Sequence, residues 1–73
     1  MPTDFNHPLV GRIAVYTGRH PGAVAEQGPI TSVNVEANLV FVRYGRGATS
    51  AATEWDDRVQ LLGREPRKPL KDY

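Results

Sequence analysis

The sequence predicts a small all-β domain, either an antiparallel barrel or a curled sheet of four to five strands, followed by an extended basic C-terminal tail. Short runs rich in β-branched and aromatic residues recur along the chain, and turns that contain Gly or Pro separate them. No stretch combines the length and the period of an amphipathic helix. Curling the sheet would also protect its edges, which a 73-residue all-β chain must manage.

The composition limits the possible classes of function. A chain of 73 residues forms one domain with a thin core. It has no cysteine, which excludes disulfides and thiolate metal sites. His7 and His20 both precede prolines in predicted loops, so we expect them to be solvated rather than to bind metal. No apolar run approaches the ~20 residues of a membrane span, and the N-terminus lacks the features of a signal peptide. We therefore expect a cytoplasmic protein without a membrane contact, a cofactor or a small-molecule substrate.

The first half of the chain predicts a lead-in and two strands. Residues 1–8 are expected to be irregular, because Pro2 and Pro8 block regular structure. Residues 10–16 are β-branched and aromatic in an alternating pattern, which predicts a strand. A long loop with several Gly and Pro turn signals follows, and residues 28–34 predict the second strand.

The second half of the chain completes the predicted sheet. Residues 39–44 are a nearly continuous apolar run, which is typical of a central strand. Residues 48–53 predict a weak strand of small residues, and residues 58–62 predict a last short strand after an acidic turn. The domain therefore spans residues 9–62.

The basic residues are concentrated at the C-terminus. The net charge is +1, but residues 1–62 carry −1 and residues 63–73 carry +2. Pro66 and Pro69 interrupt this segment, and Leu70 is its one aliphatic side chain, so we expect a flexible, extended tail outside the core. Its candidates for contact with phosphates or an acidic protein groove are Arg64, Arg67, Lys68 and Lys71. The alternative is a disordered, solubilising end, since domain termini are usually loose.

A second candidate contact surface lies at the end of the central strand. Arg43, Tyr44 and Arg46 combine a ring for stacking with charges for contact with bases or a protein. The alternative is that Tyr44 packs at the barrel rim while the two arginines are solvated.

The acidic turn is the part of the sequence that holds clustered carboxylates, the side chains that acid–base catalysis uses. Glu54, Asp56 and Asp57 flank Trp55. Paired carboxylates act as acid and base when desolvation raises the pKa of one of them. These carboxylates are expected on an exposed turn without a nearby nucleophile. We therefore expect a capped turn with Trp55 filling the barrel end, or an acidic patch facing a basic partner, and no enzyme activity.

Several segments resemble small SH3-like barrels of the KOW or Tudor kind. The first three are the predicted strands at residues 10–15, 28–33 and 39–44. The others are the small-residue segment at residues 47–52 and, after the acidic turn, the last strand at residues 58–62. The pattern Gly-x-Thr-Ser-x-Ala before the acidic turn also resembles small bacteriophage proteins of this barrel type. The resemblance covers residues 9–62.

With its length, its cysteine-free body and its basic tail, the whole chain is similar to phage-encoded regulators of bacterial RNA polymerase. The resemblance implies a protein of the host bacterial cytoplasm that binds polymerase subunits, inhibits transcription initiation, with displacement of the sigma factor as one route, and promotes terminator read-through. Its tail would reach nascent RNA or an acidic path nearby. The body lacks the basic face of a nucleic-acid-binding KOW domain. The alternatives are a stand-alone module for single-stranded nucleic acid and a structural phage protein.

Overall fold

The computed structural model describes residues 3–18, 22, 24–63 and 65–73. These residues form five β-strands and a short 3₁₀ turn. The strands are β1 (Ile13–Tyr16), β2 (Glu26–Asn34), β3 (Leu39–Val42), β4 (Ala51–Glu54) and β5 (Val59–Leu61), and the 3₁₀ turn spans Leu70–Asp72. No helix in the described part of the chain is long and apolar enough to cross a membrane.

The strands form one antiparallel sheet in the order β4-β3-β2-β1-β5. Strands β1 to β4 form a meander, and β5 returns to pair with β1. The two outer strands, β4 and β5, do not pair with each other, so the sheet curls without closing. The predicted all-β class is therefore confirmed as a curled, five-stranded sheet. The predicted strand positions agree with the observed ones to within a few residues at each end.

The curl is centred on β2, which is nine residues long. Its first part pairs with β1 and its second part pairs with β3. The register to β3 shifts between Ile30 and Ser32, so Thr31 is an extra residue in this strand. Such a bulge bends the strand and increases its twist. One long strand can thereby belong to both halves of the sheet.

A glycine in β2 permits a close backbone approach. A Cβ atom added to Gly28 would overlap the carbonyl group of Arg43 and lie 3.3 Å from the Cα atom of Tyr44. The chain leaving β3 therefore crosses directly over Gly28, and the Arg43 N–H donates a hydrogen bond to the Pro29 carbonyl at 3.1 Å. The absent side chain at residue 28 places Tyr44 close to the beginning of β2.

The core lies inside the curl and draws on more than the strands. Its buried apolar residues come from β1, β2, β3 and β5, and also from the segments on either side of the sheet: Leu9, Ala14, Ile30, Val33, Val40, Val42, Trp55, Val59, Leu61 and Leu70. Strand β4 contributes the buried polar residue Thr53 instead. The sheet alone therefore does not complete the core.

The N-terminal lead-in is more ordered than the sequence suggests. Asp4 and Val33 exchange two backbone hydrogen bonds of 2.6 and 3.0 Å, which add an isolated bridge to β2. His7, expected to be solvated, is buried with 6% of its surface exposed. His20, the other histidine expected to be solvated, lies outside the described residues.

Candidate functional site

The C-terminal segment, residues 65–73, packs against the sheet instead of extending from it. Leu70 is only 2% exposed and belongs to the hydrophobic core. The indole N–H of Trp55 donates a hydrogen bond of 2.8 Å to the Lys68 carbonyl. The predicted extended tail is therefore not confirmed. The physical reason is that one apolar side chain and one buried hydrogen-bond donor are enough to hold a short segment that needs no regular structure of its own.

His7 connects the lead-in to the C-terminal segment. The Leu9 N–H donates to His7 Nδ1 at 3.1 Å, so Nδ1 is the acceptor and Nε2 carries the proton. His7 Nε2 then donates to the Leu70 carbonyl at 2.9 Å. Both ring nitrogens of a buried histidine are thus satisfied, which favours a structural role for this side chain over metal binding.

Three aromatic rings pack edge-to-face in the same contact. Tyr73 lies edge-to-face with both His7 and Trp55, at centroid distances of 6.1 and 6.2 Å. The Tyr73 hydroxyl accepts a hydrogen bond from the Lys68 N–H at 3.0 Å, and the Lys68 ammonium lies 5.0 Å from the Tyr73 ring centroid. These contacts fix the backbone of the segment over the end of the sheet.

The basic side chains are consequently displayed from a fixed backbone. Arg67, Lys68 and Lys71 are all exposed, and Arg67 donates a hydrogen bond of 3.3 Å to the Val59 carbonyl. The fourth predicted contact residue, Arg64, lies outside the described residues. We call Arg67, Lys68 and Lys71 the basic segment. Its charges sit at defined positions beside β5 and Trp55.

An ion pair holds the beginning of the C-terminal segment. The Arg12 guanidinium and the Glu65 carboxylate approach to 2.6 Å, with both side chains about 40% exposed. The hydrogen bond from Arg12 holds the pKa of Glu65 below its ordinary value, and the same contact raises the pKa of Arg12. The pair orients the chain after β5, but its stabilising contribution is small because water screens it.

The second predicted contact surface contains one anchored and two exposed side chains. Arg43 and Arg46 are exposed, whereas Tyr44 is half-buried and packs against the core. The Tyr44 hydroxyl and the Thr53 hydroxyl are 2.9 Å apart. Burial raises the pKa of Tyr44, a nearby Glu26 carboxylate adds to this, and the Thr53 hydrogen bond opposes it. Tyr44 is thus anchored against the core, whereas Arg43 and Arg46 are exposed.

The acidic turn is organised by an internal ion pair. Asp56 accepts hydrogen bonds from the Arg58 guanidinium at 2.6 and 3.3 Å and from the Arg58 backbone N–H at 3.0 Å. These contacts lower the pKa of Asp56, which is opposite to the change that a general acid requires. Trp55 is buried, as expected for a side chain that fills the end of the sheet. The described residues hold no group of three or more side chains suited to a metal ion.

An open cleft lies beside β4, and sequence reasoning did not find it. It has a volume of about 370 Å³. Its walls come from the end of β1, the beginning of β2, all of β4 and two side chains outside the strands: Tyr16, Glu26, Tyr44, Ala51, Ala52, Thr53, Glu54 and Arg58. The Tyr16 and Tyr44 rings are 6.4 Å apart with an angle of 53° between their planes. These residues are far apart in sequence, so only the curl of the sheet brings them together.

Comparisons with protein-family models, curated proteins and solved structures found no match for this chain.

Proposed function

We propose that this chain is a non-catalytic binding protein that regulates transcription by binding bacterial RNA polymerase, as its resemblance to phage-encoded polymerase regulators implies. In this proposal it acts in the host bacterial cytoplasm, inhibits initiation, with displacement of the sigma factor as one route, and promotes terminator read-through. The observation that supports it is the basic segment, because its exposed side chains extend from a backbone that contacts of Trp55 and Leu70 hold against the sheet.

A fixed backbone makes these cations better suited to binding than a free arm would be. Ordering a flexible arm on a partner costs conformational entropy, and a segment that is already docked avoids most of this cost. The remainder of the chain has nearly balanced charge, so the basic segment is the place where an acidic protein groove or nascent RNA would be attracted.

The organisation of the carboxylates supports a binding function over catalysis. Asp56 is paired with Arg58 and Glu65 with Arg12, and both carboxyl groups have a lowered pKa. A carboxylate stabilised in its charged form is a poor general acid at neutral pH. These side chains are more useful for shaping the surface than for proton transfer.

The test is to pass bacterial lysate over the tagged full chain and to identify retained RNA polymerase, followed by transcription assays on a promoter and an intrinsic terminator. We expect retention of polymerase, fewer initiation products and more read-through. Replacing Arg67, Lys68 and Lys71 together by Gln should weaken these effects while leaving Leu70 docked. Replacing Arg43 and Arg46 by Gln is the matched change at the other arginine-containing surface and should have a smaller effect.

The same measurements separate the alternatives. Failure of the folded full chain to retain polymerase would refute the proposal. Binding of single-stranded RNA without polymerase, weakening steeply as salt rises, would indicate a stand-alone nucleic-acid module. A concentration-dependent oligomer in analytical ultracentrifugation, without either ligand, would indicate a structural assembly protein.

A further inference from the structure

The cleft beside β4 has the size and location of a binding site. Its volume of about 370 Å³ lies within the ~300–1,000 Å³ that is usual for ligand pockets. Its lining includes the whole of β4, which is an outer strand of the sheet, together with Tyr16, Glu26 and Arg58.

The two tyrosine rings of the cleft are held in position by the fold. Tyr16 ends β1, and its backbone is paired on both sides, with Glu26 of β2 and Val59 of β5. Tyr44 is fixed by its hydroxyl, which is 2.9 Å from the Thr53 hydroxyl. The rings are tilted by 53° and both pack partly against the core. Two ring faces at a fixed angle form a surface that attracts cations.

The charges around the cleft favour a positively charged occupant. Among the described residues that line the cleft, Glu26 and Glu54 supply two carboxylates and Arg58 supplies the one cation. The Arg58 guanidinium is already paired with Asp56 through two side-chain hydrogen bonds, and it lies 3.9 Å from the Glu54 carboxylate. The Glu54 side chain is 72% exposed. A second cation could therefore contact Glu54 without displacing the pair of Arg58 and Asp56.

The exposed edge of β4 supplies a way to align a peptide. Within the described residues β4 pairs with β3 only, so the backbone groups on its other side are open to a further strand, apart from the Glu54 carbonyl, which accepts a hydrogen bond of 3.0 Å from the Asp56 N–H. An extended peptide can add to such an edge through main-chain hydrogen bonds. Because successive side chains of a strand alternate in direction, one of them would project into the cleft.

We propose that this cleft binds an arginine side chain of an extended partner peptide, whose backbone pairs with the edge of β4. The planar guanidinium can stack on a tyrosine face and donate two hydrogen bonds to a carboxylate, which suits the rings and glutamates of this cleft. This site is distinct from the basic segment and does not depend on the proposed action on RNA polymerase.

In this proposal the occupant belongs to another molecule. In the described C-terminal segment, Arg67 already contacts the Val59 carbonyl and Lys68 lies over Tyr73, and the remaining basic residue, Lys71, lacks the planar guanidinium that suits the site. Arg12 is paired with Glu65. A partner protein with an exposed, extended segment that contains arginine has the matching chemistry.

The test uses the isotope-labelled full chain and a blocked peptide, acetyl-Thr-Val-Arg-Val-Thr-amide, in an NMR titration. We expect amide shift changes at Tyr16, Tyr44 and residues 51–54 that saturate below about 5 mM peptide. A peptide with neutral citrulline in place of arginine should bind about tenfold more weakly, because it loses the charge. Raising the salt concentration should weaken binding of the arginine peptide.

Variants of the chain test the walls of the cleft. Tyr16→Leu removes one ring and should weaken binding about three- to tenfold. Glu54→Gln should also weaken binding. Glu36→Gln removes the same charge from an exposed turn outside the cleft and should have no effect. The amide spectrum of each variant reports whether it remains folded.

Four results would overturn the proposal. The first is equal binding of the citrulline and arginine peptides, and the second is shift changes confined to residues 65–73. The third is absence of saturation at about 5 mM peptide with folded protein. A second copy of the chain as occupant would also contradict it, and would appear as dimerisation in analytical ultracentrifugation that Glu54→Gln weakens.

Discussion

Replacing Leu70 by Ala tests whether the C-terminal segment belongs to the folded domain. Leu70 is only 2% exposed and is a member of the core. Leu-to-Ala changes in protein cores lower the free energy of unfolding by about 2–5 kcal/mol. Because Leu70 lies in a three-residue 3₁₀ turn outside the sheet, the segment can relax or detach, which places the expected loss near the lower end, at about 2 kcal/mol.

Detachment of the segment sets an upper limit on this loss. It would break the hydrogen bonds from Trp55 to Lys68 and from His7 to Leu70, each of which contributes about 1 kcal/mol net. The entropy regained by the freed residues offsets part of this loss. For a domain of this size, a loss of about 2 kcal/mol lowers Tm by about 8–16 °C.

The measurement is urea unfolding followed by the fluorescence of Trp55, which is the single tryptophan of the chain. Trp55 contacts the segment directly, and far-UV circular dichroism reports the sheet independently. Lys71→Ala is the matched control at an exposed neighbouring position and should stay within about 0.5 kcal/mol of the parent. A Leu70→Ala variant that is as stable as the Lys71→Ala variant would refute the docking of the segment.

Three further predictions concern the sheet, the cleft and the ion pair. Gly28→Ala should lower the free energy of unfolding by about 1–3 kcal/mol, since its methyl group would overlap the Arg43 carbonyl; unchanged urea unfolding would contradict this close approach. Tyr44→Phe should lose about 0.5–1.5 kcal/mol with the hydrogen bond to β4, and a more stable variant would refute that bond. The Glu65 carboxyl should titrate below its ordinary pKa by NMR and return towards it in Arg12→Met; identical titrations would exclude the ion pair.

The ion pair also sets the sign of a pH effect. Because the pKa of Glu65 is lower in the folded state than in the unfolded state, its contribution to stability is fully present above the unfolded pKa. It is lost as the pH falls through the folded pKa. Asp56 behaves in the same direction, so both contacts should weaken in acid and not in base.

Much of the sheet could be predicted from the sequence. The β-branched runs around Ile13 and Val40 and the turns between them identify the strands, because these signals are local. The burial of Trp55 was also expected. The burial of Leu70 was not expected, because a single aliphatic residue that follows two prolines carries no periodic signal. Its burial depends on the space left between Trp55 and the lead-in, which exists only in the folded sheet.

The candidate sites divide in the same way. The basic residues could be identified by their concentration near the C-terminus, and the structure adds that Arg67, Lys68 and Lys71 extend from a docked backbone. The cleft could not be identified, because Tyr16 is the last residue of β1 whereas Tyr44 lies beyond the end of β3. No pattern of local spacing relates them.

The sequence by itself determined the all-β class, the approximate strands and the uneven distribution of charge, since each depends on neighbouring residues and on composition. The tertiary structure decided that the C-terminal segment packs on the sheet and that two tyrosines share a cleft at its open edge. The segment is held by contacts with His7 and Trp55, and the close approach at Gly28 places Tyr44 near the beginning of β2. These contacts join residues distant in sequence, and packing selects them.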